Sequence, residues 1–394
     1  MWDILRYIIR STINGSKGYI IWMLFLVTLV LIGIHCYAKQ LAFGLYTTGM
    51  GDEVSWGFYI ANFVYLVGMA AAAVMMVIPA YVFKDKDMGK IVIFAELFAI
   101  AALVMCLLFI TIDLGRPDRL WHLIPGIGKF NWPSSMLTWD VLVLNGYLLI
   151  NLFVCWHYLS RKYRGLEVKT SFYLFVVFLS IIWAPSIHTV TGFLFQALVG
   201  RSFWHSGLIA PRFLASAFSA GPAFMILVFL ILKKTKAIDI SDKAINRIRV
   251  IVTVSLIINI ILMGSEIFAE LYHSTVHSVH MSFLLGLHGA SLLTPWIWLS
   301  IILVLSAVAV FVTPLRLKTP FLVIACVFVV FGIWLEKGLG FLIPGFIPST
   351  IGDFIQYVPT LNEVLIVIGV WATGLLVYTL LVKIALPIIN NNRE

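Results

Sequence analysis

The feature that most constrains this chain is its series of long apolar runs. Of its 394 residues, 61% are hydrophobic and only 11% are charged, whereas soluble proteins carry about 25% charged residues. Each run is close to the roughly 20 residues that a helix needs to cross a bilayer, and is too continuous for a tilted barrel strand. The sequence therefore predicts an all-α integral membrane protein, a single polytopic domain over residues 1–394.

Ten apolar runs define the predicted spans. They cover residues 19–38, 55–82, 90–112, 136–160, 170–198, 207–232, 247–272, 289–312, 320–336 and 362–386. We expect two four-helix bundles, over residues 55–198 and 207–336, flanked by the first and last helices. The first run follows a basic start and is longer than a signal-peptide core, so we interpret it as an uncleaved helix. The tract 337–361 is predicted to be partly re-entrant.

The basic residues predict the orientation. With ten spans both termini lie on one side, and that side receives most of the 27 lysines and arginines. The other side receives only Lys39, Arg116, Arg119, Lys129, Arg201, Arg212 and Lys337. Because basic loops stay in the cytoplasm, both termini are predicted to be cytoplasmic and the protein to lie in the cell membrane. The net charge of +9 thus reflects topology and does not indicate a nucleic-acid partner.

Unusual polar residues cluster in the predicted outer segments. These segments are Asp113–His122, Arg201–His205, His273–His280 and the tract Glu336–Glu363. The cytoplasmic loops, by contrast, are short and basic with little else. This asymmetry predicts a functional site at the outer face.

Ionisable residues inside the spans are the second signal, because each one is costly in a bilayer and usually faces the bundle interior. Glu266, Glu270, His273 and His277 recur at helical spacing and form one stripe toward the outer surface. Carboxylates and imidazoles in a row can pass protons; the alternative is a hydrogen-bonded packing stripe. The predicted proton-path residues are Glu96, Asp113, Asp140, Glu266, Glu270, His273 and His277.

A quinone site needs a flat apolar slot closed by hydrogen-bond donors and a route for two protons. The second span begins with Trp56, Tyr59 and Asn62, and His122 lies near the same level. Asn62 and His122 are the preferred donors, while an interfacial belt is the alternative for the tryptophans. The predicted quinone-binding residues are Trp56, Tyr59, Asn62, Asp113, His122 and His188.

Basic side chains near that face are predicted to dock a partner protein, with salt-bridged loop anchoring as the alternative. They are Arg116, Arg119, Arg201, His205 and Arg212. Two small-residue stretches, 68–74 and 215–221, are predicted to pack helices closely.

Bound redox metals are not expected. The cysteines Cys36, Cys106, Cys155 and Cys326 form no CxxC pair and lie in apolar runs, which is typical of buried hydrophobes. Only His188 is clearly mid-span, so a haem with two histidine ligands is not predicted. His273 and His277 lack an evident third metal ligand. We therefore predict no haem, Fe–S cluster or other metal.

The motifs together resemble the NrfD/PsrC-like membrane subunits of respiratory complexes. The matching pieces are Trp56–Ala61, Asp113–Arg119, Ala184–Thr189, Pro211–Ala217 and Tyr357–Glu363. Asp113-Leu-Gly-Arg-Pro-Asp-Arg is the most specific of them. Ten spans resemble the longer branch of the family, which includes the Hmc-type subunit, the alternative complex III subunits and DsrP of the sulfite-reduction-associated Dsr complex. The length and the histidine-rich outer segment resemble DsrP most.

The resemblance implies a menaquinone site near the outer face, next to an extracytoplasmic ferredoxin-like Fe–S subunit. It also implies a cytochrome c and further membrane and cytoplasmic redox subunits as partners. Asp113, Arg116 and Arg119 fall in the matched segments, as do Trp56, His188 and Glu363. Two alternatives remain at this point: a secondary transporter, and a cofactor-less membrane anchor for redox partners.

Overall fold

The computed structural model describes residues 6–7, 11–13, 15–273, 278–287, 289, 291–349 and 352–390. Ten helices in it are long and apolar enough to cross a membrane, which confirms the predicted number of spans and the all-α class. They are α1 (Lys17–Phe43), α2 (Phe58–Val82), α3 (Lys86–Asp113), α4 (Met136–Tyr163), α5 (Ser171–Gln196), α6 (Ile209–Lys234), α7 (Asp242–His273), α8 (Thr294–Val312), α9 (Thr319–Lys337) and α10 (Leu361–Ile389).

The helix ends differ from the apolar runs in places. The run predicted over 289–312 becomes helical only from Thr294, where Pro295 occupies the first turn and suits a helix start because it lacks an N–H. The preceding Ser278–Leu285 forms a separate short helix. Helix α5 continues through Pro185. After α9, short helical turns over Leu339–Leu342 and Ile343–Phe346 are buried.

Helices α2 and α3 form the centre of the molecule, since most of their residues are buried. Helix α2 packs against α3 and α5 of the first predicted bundle and against α6 and α9 of the second. Helix α1 packs on α10, and the two helices approach closely because Gly33 faces Gly369. The core is therefore continuous across α2, and the division into two bundles stays a prediction.

The small-residue stretches pack against each other, as predicted for helix packing. A Cβ atom on Gly221 of α6 would lie 2.2 Å from the Cβ of Ala72, and one on Gly68 of α2 would lie 3.1 Å from the Cβ of Ala217. Small residues thus let α2 and α6 approach closely. The four cysteines are buried, as predicted.

Candidate functional site

Helices α3, α5, α7 and α9 end at one face of the bundle, and α2, α4, α6 and α10 begin there. We call it the Asp113 face, because α3 ends at this residue. The predicted quinone-binding residues other than His122 lie around α2 near this face, in four neighbouring environments, one of which is centred on Glu363.

The first environment joins α1, α2 and α3. Gln40 of α1 donates to the carbonyl oxygen of Ile112 at 2.8 Å, and Tyr59 of α2 donates to Oε1 of Gln40 at 2.7 Å. Oδ1 of Asp113 is buried and has no hydrogen-bond partner in the described part of the chain. The carboxyl groups of Glu363 and Asp113 both lie close enough to Tyr59 to interact with it electrostatically. Gln40 therefore fixes the end of α3, where Asp113 lies near the buried Glu363.

The second environment fixes the start of α10. Glu363 accepts hydrogen bonds from the backbone N–H groups of Gly49 and Thr360, and from the hydroxyl of Tyr357 at 2.7 Å. The Tyr357 hydroxyl in turn accepts from the N–H of Phe58 at 2.8 Å. Burial and the neighbouring Glu363 carboxylate raise the pKa of Tyr357 far above its ordinary value. Both oxygens of this buried carboxylate have donors, as a buried polar group requires.

Asn62 lies in the third environment, between α2, α9 and α10. Its side-chain oxygen accepts from the indole N–H groups of Trp334 at 3.0 Å and Trp371 at 2.9 Å, and its amide donates to the carbonyl of Phe58 at 2.8 Å. Asn62, the predicted hydrogen-bond donor to a quinone, therefore already forms most of its side-chain hydrogen bonds with protein groups. Trp334 also lines an apolar cavity of about 360 Å³ beside Phe58 and Tyr357.

Trp56 and His188 belong to the fourth environment, an aromatic cluster between α2, α5 and the turns after α9. Trp56 contacts Phe195 and stacks on the fully buried Trp204, with ring centroids 5.5 Å and 6.1 Å away. These tryptophans are packing residues here rather than members of an interfacial belt. His188 is completely buried and stacks on Phe213, and its Nε2 contacts Nζ of Lys337.

Arg212 does not fit its predicted docking role, because its side chain is only 12% exposed and its guanidinium lies between two carboxylates. It contacts Glu266 and forms a 2.9 Å ion pair with Glu336. Asn259 donates to the second oxygen of Glu336 at 3.2 Å. Because a guanidinium stays protonated, Glu266 is held in a fixed ion cluster, which suits a structural role better than proton transfer.

Two of the predicted proton-path carboxylates, Asp140 and Glu96, lie away from that cluster, whereas Glu270 lies beside it, close enough for Glu266 and Arg212 to act on it electrostatically. Asp140 is buried and accepts from Thr191 at 2.8 Å. Glu96 and Glu270 each have a buried oxygen without a partner in the described residues. Glu96 lies nearer the opposite face, in the first half of α3. The His273 side chain and all of His277 fall outside the described residues, so the outer half of the predicted stripe is not described.

The loop after α3 is exposed. Arg116 pairs with Asp118 at 3.0 Å, which lowers the pKa of the Asp118 carboxyl, and His122 stacks on Trp121. The remaining predicted docking residues, Arg119, Arg201 and His205, are exposed or half-buried at the same face. The structure therefore does not bring His122 together with Tyr59, Asn62 or His188.

Three residues near the site are not among the predicted site residues, namely Gln40, Glu336 and Lys337, although the last two lie in the polar outer tract Glu336–Glu363. Gln40 is an ordinary polar residue near a helix end, and Glu336 and Lys337 sit at the end of an apolar run, where exposure is the usual expectation. Only tertiary packing buries them. In the described residues, no group of three or more His, Cys, Asp or Glu side chains could hold a metal ion.

The fold and the site define a polytopic helical membrane protein with a polar, partly ion-paired interior near one face. The chain belongs to the polysulphide reductase NrfD family, whose sequence model matches residues 46–347. The match leaves out α1 and α10, so Gln40 and Glu363 lie outside it.

Three relatives are similar over different parts of the chain. A putative membrane subunit of dimethyl sulfoxide reductase from Halobacterium salinarum is 24% identical over 90% of this chain and 88% of its own length. An Hdr-like menaquinol oxidoreductase integral membrane subunit of Archaeoglobus fulgidus is 26% identical, over 53% and 49%. The integral membrane subunit of a menaquinone reductase from Nitratidesulfovibrio vulgaris is 25% identical, over 55% and 54%. The chain thus spans about half the length of the latter two.

Proposed function

We propose that this protein is the quinone-interacting membrane subunit of a respiratory redox complex. It exchanges electrons between the menaquinone pool and an Fe–S subunit docked on the extracytoplasmic side. Family membership supports this proposal, as do the menaquinol- and menaquinone-linked names of two relatives. Similarity to DsrP in particular stays a prediction, and so do a cytochrome c and further redox subunits as partners.

The observation that best supports the proposal concerns the side-chain carboxyl group of Asp113. One of its oxygens is buried and unpartnered in the described residues, beside Tyr59 and Glu363. Arg116 pairs with Asp118 instead, so Asp113 is available as a base. Oxidation of a hydroquinone releases two electrons and two protons, and the protons need such an acceptor within reach. Asp113 is the proposed first acceptor, and the electrons pass to the Fe–S partner.

The electron-accepting partner is proposed to bind over the Asp113 face. Arg116, Arg119, Arg201 and His205 present positive or titratable groups there, which suit an acidic docking surface. The distribution of lysines and arginines supports a cytoplasmic position for both termini, and in this proposed orientation the Asp113 face is on the extracytoplasmic side of the membrane.

Asp140 and Glu270 are the proposed next proton carriers, since both lie near the Asp113 face and Arg212 is ion-paired with Glu266 and Glu336 instead. Glu96 lies toward the other face, so a proton route across the whole membrane would have to include this residue. The tyrosines near Glu96 include Tyr81 and Tyr173, whose hydroxyls are 2.6 Å apart.

The test is turnover of a menaquinol analogue by the assembled complex carrying Asp113→Asn. We expect turnover to fall at least tenfold while the complex still assembles, because the amide cannot take the proton. The matched control is Asp242→Asn, an exposed aspartate paired with Lys233 at the opposite face. Wild-type turnover in the Asp113→Asn complex would contradict the assignment.

A further inference from the structure

An apolar cavity lies at the Asp113 face, where α2, α8 and α10 begin and α9 ends. Its volume is about 360 Å³, within the range of roughly 300–1,000 Å³ that is usual for small-ligand sites. Four aromatic residues line it, namely Phe58, Trp296, Trp334 and Tyr357, and the remaining lining residues are aliphatic, glycine or proline. Trp296 and Val358 are exposed, so the cavity opens at the surface of the bundle. Its size and its aromatic lining suit a flat ring.

The hydroxyl of Tyr357 can still accept one hydrogen bond. It donates its hydrogen to Oε1 of Glu363 at 2.7 Å and accepts the N–H of Phe58 at 2.8 Å. A phenolic oxygen has two lone pairs, and only one of them is used by the described residues. Because the hydrogen is committed to Glu363, the free position can accept but cannot donate. A hydroquinone, which carries O–H groups, can fill it, whereas an oxidised quinone offers only acceptors.

Glu363 is the base behind this hydroxyl. Its Oε2 atom accepts the N–H groups of Gly49 at 2.7 Å and Thr360 at 2.8 Å, while Oε1 accepts the Tyr357 hydroxyl. All three partners are donors, which is the pattern that an ionised carboxylate requires. Oε1 can therefore take the tyrosine hydrogen when the hydroxyl receives another. The Glu363 carboxyl also lies close enough to Asp113 to interact with it electrostatically.

Tyr357 lines a second cavity as well, which is polar and lies at the outer surface. This cavity has a volume of about 320 Å³, and its lining includes Gly49, Asp52 and Glu53. Asp52 and Glu53 are exposed, so their carboxylates can exchange protons with water. Tyr357 is thus common to the walls of an apolar cavity and of an acidic, water-accessible one. A proton that reaches Tyr357 and Glu363 has an aqueous outlet close by.

We infer that the apolar cavity binds the ring of the hydroquinone and that Tyr357 is the catalytic residue that accepts its O–H group. The inference rests on the proposed quinone function and adds the cavity and the contact residue. The hydroquinone proton moves to the Tyr357 oxygen while the Tyr357 hydrogen moves to Oε1 of Glu363. This transfer leaves a hydroquinone anion and a neutral Glu363, with Tyr357 unchanged.

The remaining steps complete the oxidation. Glu363 regains its charge when its proton passes to Asp113, the acceptor proposed above, and finally to the polar cavity. The anion then loses its second proton by the same route, and its two electrons leave for the proposed Fe–S partner. The product is a quinone, which no longer has an O–H group to donate to Tyr357 and therefore loses this contact.

The first experiment fills the apolar cavity and measures KM for a menaquinol analogue in the assembled complex. Val358 lines the cavity and is exposed, so Val358→Trp adds bulk there without replacing a core residue. We expect KM to rise about tenfold, as overpacking of the occupied site requires. The matched control is Leu361→Trp at an exposed position that does not line the cavity, and its KM should be unchanged. An unchanged KM in the Val358→Trp complex would overturn the inference and leave the cavity to a lipid chain.

The second experiment needs no turnover and compares two redox forms of one probe, 2,3-dimethyl-1,4-naphthoquinone. Kd is measured for the hydroquinone and for the quinone, without oxygen, on the purified full chain. We expect Tyr357→Phe to weaken hydroquinone binding about tenfold, the effect of losing one hydrogen bond, and to leave the Kd of the quinone unchanged. The matched control is Tyr46→Phe, which removes a hydroxyl from a tyrosine that is 94% exposed and should change neither Kd. Equal weakening of both forms, or of neither, would overturn the assignment of Tyr357.

The outcomes separate this inference from the proposed function. If the wild-type complex does not oxidise a menaquinol analogue and the full chain binds neither form of the probe, the proposed function fails and the inference fails with it. If the wild type turns over and binds the probe but Val358→Trp and Tyr357→Phe behave like their controls, only the cavity and Tyr357 are wrongly assigned.

Discussion

The hydroxyl of Tyr357 donates a 2.7 Å hydrogen bond to Oε1 of Glu363, and both residues are buried. Because the same hydroxyl accepts the N–H of Phe58, this pair ties the start of α2 to the start of α10. Helix α10 lies beyond the segment that the family model matches, so a helix outside that segment holds one end of the central helix in place.

Replacing Tyr357 by Phe tests this connection through its pH dependence. The pKa of Tyr357 is raised by burial and by Glu363, so its contribution to stability is fully present below the ordinary tyrosine pKa of about 10 and is lost as pH rises above it. We expect the thermal midpoint of the wild type in detergent to fall more steeply above pH 10 than that of Tyr357→Phe. Parallel pH profiles would contradict this account of the pair.

Asn62 is predicted to be a structural acceptor for two tryptophans. Asn62→Leu leaves the indole N–H groups of Trp334 and Trp371 without their partner, and each should cost about 1–3 kcal/mol of unfolding free energy. The measurement is denaturant unfolding of the detergent-solubilised chain, followed by tryptophan fluorescence. Asn145→Leu is the control, since that exposed amide donates only to Val141 of its own helix. Equal stability of the two variants would argue against the role.

The contact of α2 with α6 is predicted to tolerate no added methyl group at its closest point. Gly221→Ala would place a Cβ 2.2 Å from that of Ala72, and overpacking of this kind typically costs about 1–3 kcal/mol. Gly264→Ala is the matched control, because its Cβ would have no heavy atom within 4 Å. We expect the first variant to lower the thermal midpoint and the second to leave it unchanged or slightly raised.

Arg212 is predicted to be essential for stability rather than for docking. Arg212→Met leaves two buried carboxylates unpaired, which should cost about 3–5 kcal/mol and sharply reduce the folded yield. Lys233→Met breaks the exposed pair with Asp242 and is expected to have no measurable effect. Normal folding of Arg212→Met, combined with weakened partner binding, would restore the docking role.

The ten helices could be predicted because the length of a spanning apolar segment is set by the thickness of the bilayer and depends little on tertiary contacts. The site could not be predicted to the same extent. Arg212 was assigned to the surface because basic residues beside a span usually lie there, and only the packing of Glu266 and Glu336 around it shows otherwise. Likewise, the partner of Asn62 on α10 is Trp371, and nothing in the local sequence of either residue indicates the other.

The chain is proposed to bind a quinone near the Asp113 face. The most direct test is photolabelling of the membrane-embedded protein with an azido-naphthoquinone, followed by peptide mass spectrometry and competition with menaquinone. We expect competable labelling of peptides that contain Trp56–Asn62, Asp113 or His188. Labelling that menaquinone does not displace, or that is confined to the lipid-exposed faces of α1 and α7, would contradict the claim.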